Sequence, residues 1–551
     1  MRSGAKAAIV GGVFVVVGTG VVYGGYQMLS GDDSSSGGHT RAAPVRTGPP
    51  RADEITKTAQ AFFDAWSKGD AAAASALTNN NAAAQTALAG FHDEAHVDKV
   101  TITPGAATGA TVPYTVKAEV AYEGKTAPLA YSSRLTVVRG VTTGKALVDW
   151  QPAVVHPKLK TGQKLVTGAA KSPEIEAVDH RGRVLTKEKY PSLGTVLDSL
   201  RQKYGAKANG TPGVETWIEG GGVEGGADST PNQTLLTLAK GKPGKLTTTL
   251  DADVQAAAEQ AVKQFAESSV VAIEPSSGAI RAVADNRQDG FPASLQASVA
   301  PGSTMKIITG AMIIQNGVGG ANQQVECPAT VPWEGYTFHN LKDFSISGGT
   351  LTEAFAKSCN TAFIKPVKPL NDKHIAGTAL GQTARDYFGL GQDNWKLGGV
   401  KSFDGSIPES SGVETAASYI GQGKVQMSPL DLASVSATVI NGGFQQPVIV
   451  PQSLDDRELA KAKPLPGSLA TQLRQMMHAA TTGNGTAVNT MAGVPGPKGA
   501  KTGSAEVDQQ GKSNSWFTGY GNGLAAAALV QSGGHGVDAA GPIVARVLRA
   551  G

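Results

Sequence analysis

A serine three residues ahead of a lysine can supply a nucleophile with a base one helical turn away. This chain carries that spacing twice, at Ser303-Thr304-Met305-Lys306 and at Ser3-Gly4-Ala5-Lys6. Only the first follows a Pro301-Gly302 stop and opens an apolar run, Met305, Ile307, Ile308, Met312, Ile313 and Ile314. The pattern predicts a helix with Ser303 at its N-terminus and Lys306 on the same face, Cβ atoms roughly 5–6 Å apart. A helix N-terminus offers unpaired N–H groups and partial positive charge, which stabilise a developing oxyanion. With burial, the same field disfavours an ammonium, and a neutral lysine can take a proton from serine. Taken alone, the tetrad is far more often an ordinary serine-capped helix with a surface lysine. The rest of the chain decides.

Two further motifs follow Ser303. Ser358-Cys359-Asn360 comes after the helical stretch Thr352–Lys357, and Lys501-Thr502-Gly503-Ser504 reads as a strand. Serine acyl transfer needs a proton relay to the leaving amine, a partner for the substrate amide and a cation for a substrate carboxylate. Ser358 and Asn360 suit the first two tasks. Lys501 suits the third, with the Thr502 and Ser504 hydroxyls beside it, while Gly503 admits substrate close to the strand. The N–H groups of residues 303 and 504 are placed to form an oxyanion hole. Stray copies occur at Lys160-Thr161-Gly162 and Tyr520-Gly521-Asn522, but only Ser303, Ser358 and Lys501 keep one order within one domain.

At 551 residues the chain requires several domains. A formal charge of +4 spread over this length, without a basic run interleaved with aromatics, argues against nucleic acid. Residues 7–31 are uncharged, long enough to span a bilayer, and preceded by Arg2 and Lys6, which orients the following chain outward. A cleaved signal peptide is the competing reading, but no Ala-x-Ala site closes the segment, so we expect a cytoplasmic tip and anchor over 1–30 and a Ser/Gly/Pro-rich tether over 31–51. Residues 52–152 read as a small α+β domain: Ile55, Ala59, Phe62, Phe63 and Trp66 form a helical stripe, and strand-like runs follow at Val97–Thr103, Thr111–Tyr122, Leu129–Val138 and Ala146–Trp150. His92 and His96, four apart, fit a solvated helix end better than a metal pair. Residues 153–246 form a linker module with a hairpin at Val178–Leu185, a helix at Leu193–Tyr204 and a glycine run at Gly220–Gly226. Residues 247–551 have the composition of an α/β enzyme. A hairpin is expected from Val270–Pro275 and Ala279–Val283, joined by Ser515–Tyr520 and Ala525–Val530 into one antiparallel sheet built from both ends of the domain. The two cysteines, Cys327 and Cys359, exclude a disulfide framework and the usual zinc ribbons. Whether they pair with each other or Cys359 is a small buried thiol stays open.

The ordered set Ser-x-x-Lys, Ser-x-Asn, Lys-Thr-Gly resembles that of the class B penicillin-binding proteins, the monofunctional transpeptidases of the bacterial cell wall. The resemblance extends to Val270–Gly278, Ala300–Ser303, Gly421–Leu430, Gly485-Thr486-Ala487 and Trp516–Tyr520. Residues 52–152 resemble the cone-shaped nuclear-transport-factor-like domain of the methicillin-resistance subgroup. Residues 153–246 then correspond to a pedestal or dimerisation-type module, whose usual Arg-Gly-x-Ile-x-Asp-Arg-x-Gly signature is reduced here to Glu174–Gly182. The resemblance implies a C-terminal β-lactamase-like serine transpeptidase domain. Ser303 would be the nucleophile toward a D-Ala-D-Ala stem peptide, Lys306 the base, Ser358 the relay and Asn360 the amide holder. Lys501, Thr502, Gly503 and Ser504 would clamp the carboxylate. It also implies β-lactam acylation, no metal or other cofactor, an extracytoplasmic catalytic domain and a glycosyltransferase partner. A D,D-carboxypeptidase shares every motif. A non-catalytic penicillin sensor or assembly scaffold is disfavoured, because Ser303, Lys306 and Lys501 are all present and only six residues precede the anchor.

Overall fold

The computed structural model describes residues 47–220, 231–507 and 510–551. The expected anchor over 1–30, most of the tether and most of the glycine run lie outside the described residues. Among those described, no helix is long and apolar enough to cross a membrane.

The N-terminal region has three helices, Ala52–Ser67, Ala71–Ser75 and Asn81–Asp93, against a four-stranded antiparallel sheet. The strands run in chain order, Val97–Pro104, Thr111–Tyr122, Lys125–Arg139 and Ala146–Val148. The stripe read from the sequence, Ile55 to Trp66, is the buried face of the first helix. Its aromatics stack inward, with Phe63 4.7 Å from Tyr114 and Trp66 5.5 Å from Phe91, an apolar payload that holds helix to sheet. The two histidines do not share a helix face. His92 lies in the last turn of the helix, which stops at Asp93, so the expected helix end is there, with its Nδ1 2.8 Å from the Val97 carbonyl; His96, at φ +51°, lies beyond it.

The next segment combines a three-stranded antiparallel sheet (Lys164–Ala169, Val214–Glu219, Gln233–Ala239), a parallel pair (Ile175–Val178, Gly244–Thr247) and the helix Gly194–Tyr204. Its reduced signature still makes a junction with the C-terminal domain. Asp179 is fully buried and accepts N–H groups from Arg181 (2.9 Å), Arg183 (2.8 Å) and Ala252 (3.1 Å). Arg183 then bridges Asp179, Asp251 and Asp253 at 2.7, 3.0 and 2.6 Å. Burial opposes the Asp179 charge, and these hydrogen bonds overcome it, holding the carboxyl below its ordinary range.

The C-terminal region is organised on a five-stranded antiparallel sheet ordered Ile280–Asn286, Ser268–Ile273, Leu524–Val530, Asn514–Gly521, Gly499–Ala505. It joins both ends of the domain, as expected. Period-two alternation sends Val270, Ala272, Ala526 and Ala528 to the layer of helices Ala252–Val262 and Ala540–Leu548. Val271, Ile273, Ala527 and Leu529 face the opposite layer, which contains helices Lys306–Gln315 and Pro429–Asn441. The alanine run Ala525–Ala528 is wholly buried between these layers, where small side chains admit helices on both sides. The edge strand Gly499–Ala505 is left to face the turn at Ser303.

Asp179→Ala would remove the acceptor of three N–H groups, that of Ala252 buried and those of Arg181 and Arg183 partly buried, and one of the three carboxylates that hold Arg183. Its expected cost is about 3 kcal/mol, read as a lower midpoint in thermal unfolding, and an unchanged midpoint would contradict the junction described here.

Candidate active site

Residues Gly302–Met305 form a 3₁₀ turn that leads directly into the α-helix Lys306–Gln315. Ser303 therefore sits in the tight turn and Lys306 opens the α-helix, a shorter step than a full α-turn. The turn requires glycine. Gly302 has φ +54°, and a Cβ there would lie 2.3 Å from the Ser504 carbonyl oxygen. Gly421 (φ +77°) meets it from the other side, its carbonyl accepting the Gly302 N–H at 2.9 Å and its own Cβ position lying 2.0 Å from the Gly302 oxygen. Gly503 is equally confined, with Thr304 Cγ2 and the Pro301 oxygen at 2.9 and 3.0 Å. Trp516 Nε1 donates to the Ala300 carbonyl at 2.9 Å and fixes the approach to the turn.

Lys306 is completely buried. Its Nζ lies 2.9 Å from Ser303 Oγ, 2.8 Å from the Ser358 carbonyl oxygen and 2.6 Å from Asn360 Oδ1. The last two oxygens can only accept, so they take two N–H bonds. In a neutral amine the remaining direction is a lone pair, which can accept the Ser303 O–H. Asn360 is held in the matching orientation because its Nδ2 donates to the His339 carbonyl at 3.0 Å. Burial drives the Lys306 amine far below its ordinary pKa, and the Lys501 charge adds to the effect.

Lys501 is also fully buried. Its Nζ donates to Ser358 Oγ at 2.8 Å and to the Thr502 carbonyl at 2.9 Å, and burial pushes its pKa down to about 7. Ser358 Oγ lies 3.5 Å from Lys306 Nζ, so one hydroxyl bridges the two amines. Thr502 Oγ1 is 3.0 Å from Thr486 Oγ1, and Ser504 Oγ is 3.4 Å from His535 Nδ1. The structure thus brings together all eight residues singled out from the sequence: Ser303, Lys306, Ser358, Asn360, Lys501, Thr502, Gly503 and Ser504.

The middle motif is held from outside. Ser358 adopts φ +62°, a region that a serine rarely occupies, and such strain persists only where the surroundings enforce it. Cys359 forms a disulfide with Cys327, with Cα atoms 6.3 Å apart, which answers the question the sequence left open. Asn340 is buried and accepts the N–H groups of Asn360 (2.7 Å) and Thr361 (3.2 Å) while donating to the Pro328 and Phe344 carbonyls (2.9 and 2.7 Å). Sequence reasoning missed Asn340, Thr486 as a partner of Thr502, and His535. Thr486 lies in a segment that signalled family resemblance, whereas Asn340 and His535 belong to no spacing pattern. Among the described residues no group of histidine, cysteine, aspartate and glutamate could hold a metal ion.

The profile described as "Penicillin binding protein transpeptidase domain" matches residues 268–549, more than half of the 551-residue chain. The chain belongs to this transpeptidase family. A second profile, "NTF2-like N-terminal transpeptidase domain", matches residues 54–163. Among curated relatives of this family member, the peptidoglycan D,D-transpeptidase PbpA of Mycobacterium tuberculosis is 27% identical over 357 residues, covering 55% of this chain and 70% of that protein. PbpA of Mycolicibacterium smegmatis is 28% identical over 358 residues with the same coverage. The fold is shared with PBP2 of Pseudomonas aeruginosa (TM-score 0.53, 20% identity, 68% of this chain and 95% of that one). It is also shared with a D,D-transpeptidase domain from Eggerthella lenta (TM-score 0.52, 20% identity, 69% and 98%).

The two amines predict a bell-shaped pH profile for the second-order rate of acylation by a penicillin, which reports the free protein. The rate rises as Lys306 loses its proton and falls as Lys501 loses its own near pH 7. In Lys501→Arg, whose guanidinium stays charged, the falling limb moves to higher pH while the overall rate drops. A falling limb that stays in place in Lys501→Arg would contradict the assignment.

Proposed function

We propose that this chain is a peptidoglycan D,D-transpeptidase working through a Ser303 acyl-enzyme. The observation that carries the reading is the buried amine of Lys306 within 2.9 Å of Ser303 Oγ, with its other two close partners restricted to accepting. Family membership and the D,D-transpeptidase names of its relatives support the substrate class.

In this reading Ser303 Oγ attacks the carbonyl of the penultimate D-Ala of a stem peptide while Lys306 takes the hydroxyl proton. The oxyanion is received by the N–H groups of residues 303 and 504, whose backbones are pressed together at Gly302. Ser358, between the two lysines, passes a proton to the departing amine, the C–N bond breaks and terminal D-Ala leaves. Asn360 orients the donor amide. Lys501, Thr502 and Ser504 hold the donor carboxylate, and that anion restores the Lys501 charge which burial alone opposes. An amine of a second stem peptide then attacks the ester, gives up its proton to the Lys306 side of the relay and releases the crosslinked product. A β-lactam presents an acyl group and carboxylate in the same places and acylates Ser303. We place the catalytic domain outside the cytoplasmic membrane on the apolar segment 7–31, with a cell-wall glycosyltransferase as its working partner.

Fluorescent penicillin is expected to label the native chain and not Ser303→Ala, and Lys306→Ala is expected to slow labelling by at least about 10³-fold. Labelling that persists in Ser303→Ala would refute the assignment. With lipid-linked substrate, crosslinked dimers are the expected product; release of D-Ala without dimers would make the protein a carboxypeptidase.

A further inference from the structure

The hydroxyls of Thr502 and Ser504 lie two residues apart on the edge strand, and period two places them on one face of it. That row continues beyond the strand. The segment between strand Leu524–Val530 and helix Ala540–Leu548 folds back over the strand end, and Gly536 lies flat against it. A Cβ at Gly536 would sit 2.3 Å from the Trp516 oxygen and within 2.8–2.9 Å of the Gly503 backbone. His535 is set by this seating. Its carbonyl accepts from Ser515 Oγ at 2.8 Å, its N–H donates to Asp538 Oδ2 at 3.1 Å, and Ser515 Oγ also accepts the Ala540 N–H at 3.1 Å. The backbone is therefore fixed on both sides while the imidazole stays exposed, with Nδ1 3.4 Å from Ser504 Oγ.

We propose that His535 is a specificity-determining residue that binds the carboxylate of the acyl donor together with Thr502 and Ser504. This rests on the transpeptidase reading above. Nothing in the fold requires a histidine ring at this place: it is exposed, and among the described residues it forms no ion pair. Its one recorded polar contact is with a hydroxyl of the proposed clamp. Lys501, buried beneath the strand, neutralises a carboxylate from below. Thr502 and Ser504 donate hydroxyls at the middle level, and the imidazole supplies an N–H at the outer rim. The charged group held against this segment is Asp538, whose carboxylate is engaged by the His535 backbone N–H. That carboxylate does not favour a substrate anion, so at the rim the imidazole is the group that can. A donor lacking the carboxylate has no use for this contact.

The test is acylation of the full chain by benzylpenicillin and by its methyl ester, in the native protein, His535→Ala and His535→Gln. His535→Ala is expected to lower the second-order rate with the acid about ten-fold through weaker pre-covalent binding, leaving the acylation step itself and the rate with the ester unchanged. His535→Gln, which keeps an amide donor, is expected to recover part of the loss. Equal losses for acid and ester would show a merely structural role and overturn the proposal, as would an unchanged preference for the acid. No acylation of Ser303 in the native chain would instead overturn the transpeptidase reading on which the proposal stands.

Discussion

Two lysine amines buried in one site, bridged by a single serine hydroxyl, cannot both carry a full charge at modest cost. Every other feature of the catalytic region bears on this constraint. Desolvation lowers both pKa values, and the charge of one amine lowers the other further, so the protons leave in order. Lys306, completely buried and facing the Lys501 charge, is the amine driven further down, although its two carbonyl-type acceptors work against the shift. Lys501 lies beneath the strand that carries the Thr502 and Ser504 hydroxyls, and its amine meets Ser358 Oγ and the Thr502 carbonyl. The pair is thereby sorted into a base and a cation by position alone. Because both titrate below their unfolded values, the folded state binds fewer protons between those values, and stability rises with pH across that window, for Lys501 from about 7 to 10.5.

The fold sustains this arrangement by bringing backbones closer than side chains permit. The sheet closes only when strands from the two ends of the domain meet, and its edge strand then meets the Ser303 turn at Gly302 and Gly503. Gly421 completes the contact from the segment beneath. The middle motif is fastened by different means, through the Cys327–Cys359 disulfide and the buried amide of Asn340, which together keep Ser358 in its left-handed conformation. The site is thus held by backbone contacts on one side and by a covalent link with a side-chain staple on the other.

How much of this was legible in the sequence follows from the range of each interaction. The stripe Ile55–Trp66 and the continuous apolar runs near 270 and 525 report local burial, so the elements they form could be read directly. The three motifs are legible because their residue types are chemically unusual in that order. The pairing of Cys327 with Cys359 was undecidable, since a separation of 32 residues says nothing of the angle at which the chain returns. Asn340 and His535 are invisible for the same reason: each acts across a contact made only by tertiary closure, and neither carries a spacing of its own. His92 and His96 mark a helix end as read, but they share no face, because four-residue spacing implies one only while the helix lasts, and it ends between them. For Lys306 the sequence supplied the residue and the fold supplied its burial, on which the chemistry depends.

The most direct test of the account is the protonation state of Lys306 in the resting protein. NMR titration of lysine side chains labelled at Cε and Nζ, with Lys306→Arg used to assign the signal, reads it without turnover. The account predicts that the Lys306 resonance is that of a neutral amine at pH 7–8, with its titration midpoint far below the ordinary value of 10.5. A Lys306 signal that titrates near 10.5 would contradict it.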